Sequence, residues 1–379
     1  MVAYLEAIFT FSPAIEASLC TLQHHNNRSA IRVQECKFGN NTQIIFVYIS
    51  NNPPIYHTGR SGSSSRLKSD KYIFSYYTNI SYICTFNERI MKKALTINRQ
   101  IQLLQKRGIV FDDIQKAEEI LLDVGYYRLG FYAFPFERTF PSIHNRSHEY
   151  VSGTTFKSIY DLYLFDTQLR RLLLNALDRI EVNLRSRITY IVSNHYVDSP
   201  TWFVDKAIMK PSFVLSFRKK VYETLLENPV IKRHHEKYIN DRYAPAWKTL
   251  EFMTLGNLTA LYQAIKDSEV KKKIALVYGC SLKVFINYLE TIRVIRNKCA
   301  HGSCLYNMEL AKGIKATPAG VDAKDRHNIK GAYNVINYML GRISQTRKTE
   351  LESNLKTLLS YPREEATNKI IEVCTNFSL

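Results

Sequence analysis

The stretch from Thr155 to Asn194, TFKSIYDLYL FDTQLRRLLL NALDRIEVNL RSRITYIVSN, decides the fold class. Its apolar residues fall at Ile159, Leu162, Phe165, Leu169, Leu172, Leu173, Ala176, Leu177, Ile180, Leu184, Ile188 and Ile191. Those spacings of three and four sustain one helical stripe over roughly ten turns, without an interrupting Pro or Gly. Glu181 and Arg185 stand four apart, off the stripe. They are either an exposed ion pair worth tenths of a kcal/mol or groups that position an active-site arginine or an RNA.

Helical patterning continues on both sides. Upstream, Thr96 can cap a helix carrying Ile97, Ile101 and Leu104 and stopped by Gly108. Asp112 with Gln115 resembles a capping box opening a second helix that ends at Gly125. The two resemble a small helix-turn-helix, which raises a DNA-binding alternative, although their outer faces are not unusually basic. Downstream, helices are expected around Ser212–Leu226, Pro245–Ile265, Ser281–His301 and Asn328–Thr346, with a short one beyond Pro362. The expected fold class is all-α.

The Ser281–His301 helix buries Phe285, Tyr288, Ile292, Ile295 and Cys299. It closes on Arg296-Asn297-Lys298-Cys299-Ala300-His301, then Gly302. An imidazole can move protons at a ribose 2′-hydroxyl or at a leaving oxygen. A guanidinium can hold a phosphate as negative charge develops on it. Cutting RNA without a metal needs little more. The bare spacing is weakly specific, because Arg138 and His144 fit a similarly loose pattern in a loop. Five helical steps turn a side chain by about 140° and advance it about 7.5 Å. Arg296 and His301 therefore converge only if the helix ends near Cys299, or if two copies meet in a symmetric dimer.

Composition narrows the partners. The chain has 379 residues and a formal net charge of +18. Residues 1–90 hold eight basic and five acidic side chains, which leaves a surplus of +15 in the helical remainder. A polyanion is the expected partner, nucleic acid before others. Seven scattered cysteines (20, 36, 84, 280, 299, 304 and 374) suit a reducing compartment. Cys299, His301 and Cys304 lack the fourth ligand that a structural zinc site requires. Met1 to Phe11 carry no basic cluster, and no apolar run would cross a bilayer. A soluble, cytoplasmic protein without a membrane partner is expected.

Four segments follow. Residues 1–90 show no sustained period, and the only strand-like run is Ile44-Ile45-Phe46-Val47-Tyr48-Ile49, with no partner strand of comparable quality. They are expected to be poorly ordered, or translated from a start codon set too far upstream of Met91. Residues 91–140 form a small helical unit, 150–365 the main helical domain, and 366–379 a tail.

The order of several motifs is similar to that of the Abi-like abortive-infection proteins (the AbiD/AbiF group), members of the HEPN superfamily of helical ribonucleases. The matching stretches are Gln100 to Gly108, Gly125-Tyr126-Tyr127-Arg128-Leu129, and Arg179-Ile180-Glu181-Val182-Asn183-Leu184-Arg185. Further on come Pro245-Ala246-Trp247 with Glu251, Leu255-Gly256-Asn257-Leu258, and Arg296 to His301 with Leu305-Tyr306-Asn307. The likeness covers about residues 92–365.

This resemblance implies a HEPN-like helical bundle that cleaves RNA in phage defence or a toxin-type system, without a cofactor or metal and usually as a dimer. It implies Arg296 and His301 as the catalytic pair and Asn297 as their orienting neighbour. Arg293, Lys298, Arg185 and Glu181 are the candidate substrate-binding residues. Similar proteins often carry Arg three residues after the His, where this chain has Cys304. A regulatory RNA or an antitoxin protein is a further expected partner. The competing reading is a non-catalytic module that holds a small regulatory RNA.

Overall fold

The computed structural model describes residues 17–18, 25–26, 29–38, 42–50, 93–144 and 146–378. The chain separates into two compact units, 1–88 and 89–379.

In the first unit the described residues are strands: β1 (Ala17–Ser18), β2 (His25–Asn26), β3 (Ser29–Phe38) and β4 (Thr42–Ser50). All three others pair antiparallel with β3, and β4 does so from Ala30↔Ser50 to Phe38↔Thr42. The strand expected at Ile44–Ile49 therefore has a partner after all. Ile31 and Val33 alternate with Arg32 and Gln34, but Glu35 breaks that phase and Cys36 and Phe38 keep the opposite one, so no single alternating face marks β3. The expected poor order of residues 1–90 falls mostly outside the described residues.

The second unit is all-α, as the long stripe requires. Its helices are α1 (Ile97–Lys106), α2 (Ile114–Val124), α3 (Tyr126–Ala133), α4 (Phe156–His195), α5 (Pro211–Phe217), α6 (Glu223–Leu225) and α7 (Pro229–Lys237). They continue with α8 (Ala246–Thr249), α9 (Leu255–Ala264), α10 (Ser268–Val277), α11 (Leu282–Ala300), α12 (Ile329–Gly341), α13 (Gln345–Leu359) and α14 (Glu365–Thr375). Among its described residues, extended pairing is limited to isolated bridges such as Val110↔Thr155.

The central element is α4, about 60 Å long at 1.5 Å per residue. Thr155 caps its start by accepting from the Ser158 N–H. Its apolar stripe is buried from Ile159 to Val192 apart from the half-buried Leu172, with Val192 rather than Ile191 as the last inward residue. Helices α3, α10, α11, α12, α13 and α14 all pack on it.

Several local expectations need adjusting. Asp113 rather than Asp112 caps α2, accepting from the Lys116 N–H at 2.9 Å. The helix expected over Pro245–Ile265 breaks at Met253, and Thr254 caps a fresh start at α9. The one expected over Asn328–Thr346 stops at Gly341, and Ser344 caps α13. In each case a hydroxyl or carboxylate competed locally for backbone N–H groups and won a cap, which apolar periodicity cannot register. Helices α1 and α2 bury Ile101, Leu104, Ala117, Ile120 and Leu121, so their facing sides form a packing unit.

Candidate functional site: the end of helix α11

Helix α11 is regular through Ala300, and the His301 N–H still donates to Asn297 O at 2.9 Å. Gly302 then takes φ +66, a conformation glycine reaches without the cost of a Cβ. Its N–H reaches Cys299 O at 3.3 Å, and the Ser303 N–H reaches Lys298 O at 2.9 Å. This pair of bonds is the Schellman stop. It ends the helix at Ala300 and leaves His301 as its C-cap, exposed to solvent. The helix therefore runs past Cys299, and Arg296 and His301 do not share a face of it.

Arg296 is fixed from the α4 side. Its Nε lies 3.3 Å from Glu181 Oε2, while Arg185 Nη2 donates to Glu181 Oε1 at 3.1 Å and to Met253 O at 3.0 Å. The Glu181 side chain is 11% exposed and that of Arg185 12%, so this is a buried junction and not an exposed pair. One carboxylate takes a cation on each oxygen. Losing it would leave two guanidinium groups facing each other with their charge unmet. Glu181 and Arg185 thus act on Arg296 and leave little surface for a substrate. Arg296 keeps about a third of its side chain open.

The other candidates are placed as follows. Asn297 and Lys298 are half-buried on the last turns of α11. Arg293 is tied to Glu290, three residues back, through bonds of 3.0 and 2.5 Å. Those bonds hold the Glu290 carboxyl below its usual range. Cys299 points into the core, where burial pushes its thiol up to about 12. Among the described residues no group of three His, Cys, Asp or Glu has the arrangement of a metal site.

Two arginines that the spacing argument passed over close the site. Arg128 on α3 donates to Gly302 O at 2.9 Å, which places a guanidinium beside the turn that carries His301. Arg170 on α4, buried, donates to Ser303 O at 3.4 Å and pairs with Asp166. Asp166 accepts the Leu305 and Tyr306 N–H groups at 2.9 and 2.8 Å and the Tyr132 hydroxyl at 2.8 Å. Burial pushes its carboxyl up, while Arg170 and these three donors pull it back. The segment after His301 is thereby locked to α3 and α4. The signal available for Arg128 was its place in Gly125-Tyr126-Tyr127-Arg128-Leu129. Nothing marked Arg170, which the periodic reading treats as one polar residue of a long helix.

Residues 119–307 match the family model of the Abi-like proteins. The match runs from α2 to the turn after α11 and spans every residue of this site, so over its helical centre the chain is similar to the Abi-like proteins. No curated protein and no solved structure matched the chain. No described helix is long and apolar enough to cross a membrane.

Proposed function

We propose that this chain is a metal-independent endoribonuclease of the HEPN type, acting in abortive infection or in a toxin-type system. The Abi-like match supports the setting. The observation that carries the chemistry is the Glu181–Arg296 junction: a buried carboxylate aims a partly open guanidinium one turn before an exposed histidine.

The reaction follows from those groups. The RNA 2′-hydroxyl attacks the adjacent phosphorus and loses its proton to a His301 imidazole. Arg296 holds the non-bridging oxygens as they gain charge. The bond to the 5′-oxygen breaks, a protonated imidazole returns a proton to that oxygen, and a 2′,3′-cyclic phosphate and a 5′-hydroxyl remain. Asn297 orients the pair. Lys298 and Arg293 contribute to the cationic rim, Arg293 with its charge already shared by Glu290. Arg128 supplies beside Gly302 the cation that Cys304 does not.

Because α11 runs unbroken through Ala300 and His301 caps it, the Arg and His of one copy lie on different sides of it. A symmetric pair of copies, with the two α11 ends facing one scissile bond, brings them together. Mapping of RNA 5′-hydroxyl ends after induction in cells tests the proposal. Wild type should generate new ends and arrest growth, and His301→Ala should do neither. Growth arrest without new ends, undiminished in His301→Ala, would favour instead a module that only holds RNA.

A further inference from the structure

Three arginines outside this site line one cavity between α4, α12 and α13, of about 390 Å³. Arg171 and Arg179 lie eight residues apart on one face of α4, and Arg347 stands in the first turn of α13. Among the described residues, none of the three has an ion-pair partner within 4.0 Å. Glu350 is the one carboxylate in the wall, so the cavity keeps a net charge of about +2. Arg179 Nε is buried without a hydrogen-bond partner, a state that costs free energy until an acceptor arrives. Helix α13 has no acidic residue in its first turn and adds its positive end to the same place.

The rest of the wall favours more than a bare anion. Leu172, Leu340 and Leu351 are apolar, and Asn354 offers an amide. A second hollow of about 220 Å³ shares Leu172 and Asn354 and reaches Tyr361, a residue 60% exposed with the Arg363 guanidinium 5.2 Å from its ring centroid. An exposed ring is a surface on which a base can stack. We infer that the α4–α13 cavity binds a nucleotide through its terminal phosphomonoester. The three guanidinium groups meet the phosphate, and the apolar wall toward Tyr361 meets the nucleoside. The site shares no residue with the Glu181–Arg296 junction, so it stands or falls independently of the nuclease reading.

Binding to the full-length protein, followed by calorimetry and fluorescence polarisation, tests it. The probes are 5′-AMP against adenosine, and a 2′-O-methyl hexanucleotide with a 5′-phosphate against the same oligomer with a 5′-hydroxyl. The oligomer has no attacking hydroxyl and survives any cleavage. The phosphate should tighten binding by about ten-fold or more, the scale of charge-assisted hydrogen bonds. That preference should vanish in the Arg171→Ala/Arg347→Ala variant. Both side chains are exposed, so its melting temperature should match wild type. A phosphate gain with both probes identifies a free nucleotide as sufficient, and a gain with the oligomer alone identifies an RNA end. Equal affinity with and without the phosphate, or a preference that survives the double substitution, would overturn the assignment.

Discussion

In the proposed chemistry Arg296 has to be aimed, and Glu181 is the carboxylate that holds it. Its carboxylate is shared between Arg296 and Arg185, so a neutral isostere should loosen Arg296 without emptying the junction. Glu181→Gln should slow cleavage at saturating RNA about ten-fold, the scale of one lost charge-assisted hydrogen bond. Circular dichroism should stay that of wild type. An unchanged turnover would remove Glu181 from the account. Gly302 is the second residue at this scale. Its φ of +66 is costly for any residue with a Cβ, and a Cβ there would also meet Arg128 Nη1 at 3.4 Å. Gly302→Ala should cost about 1 kcal/mol, lowering the melting temperature by about 2 °C, and should blunt activity because His301 rides on that turn. A variant as stable as wild type would show that the turn tolerates a side chain.

At the scale of elements, α4 and α11 were legible from their sequences because a buried stripe repeats over many turns and few competing signals intrude. The α11 stop was legible too, because glycine past a helix end has a specific conformational reason to be there. What escaped was set by single hydrogen bonds. Thr254 and Ser344 divide helices that apolar spacing would join, and β3, the partner of β4, changes alternation phase at Glu35, so no single apolar face marks it. The junction at Glu181 was visible as a pair of opposite charges, but its burial depends on Met253 and Arg296, 68 or more positions from Arg185. Helix α7, absent from the expected set, makes its own prediction. His234 is buried there against Asp241 at 3.0 Å, with Lys248 at 3.5 Å. Burial, then the Lys248 charge, lowers its pKa below that of an ordinary histidine, against the pull of Asp241. The folded chain therefore binds fewer protons at this group than the unfolded chain does. Its contribution is present above the ordinary histidine value and fades as pH falls through the folded one. The melting temperature should drop on acidification from about pH 6.5 to 5, and less steeply in His234→Gln. Equal slopes would mean that His234 does not carry this dependence.

On the scale of the whole molecule, the α-helical body carries a surplus of positive charge, and in the proposed function a second copy completes its α11 end. If two copies share a scissile bond, Arg296→Ala and His301→Ala subunits should complement each other. Mixed and re-equilibrated, they should cleave RNA faster than either variant alone, because the mixed pair holds one intact guanidinium and one intact imidazole. A mixture no faster than its components would mean that each subunit works by itself. RNA affinity should fall steeply with added salt, as counterion release requires. The most direct measurement is cleavage of a defined RNA by purified protein in EDTA, with the product ends identified by mass spectrometry. The account predicts 2′,3′-cyclic phosphate and 5′-hydroxyl ends, with the rate reduced about 10²- to 10⁴-fold in His301→Ala and in Arg296→Ala. Activity abolished by EDTA, or undiminished in His301→Ala, would contradict it.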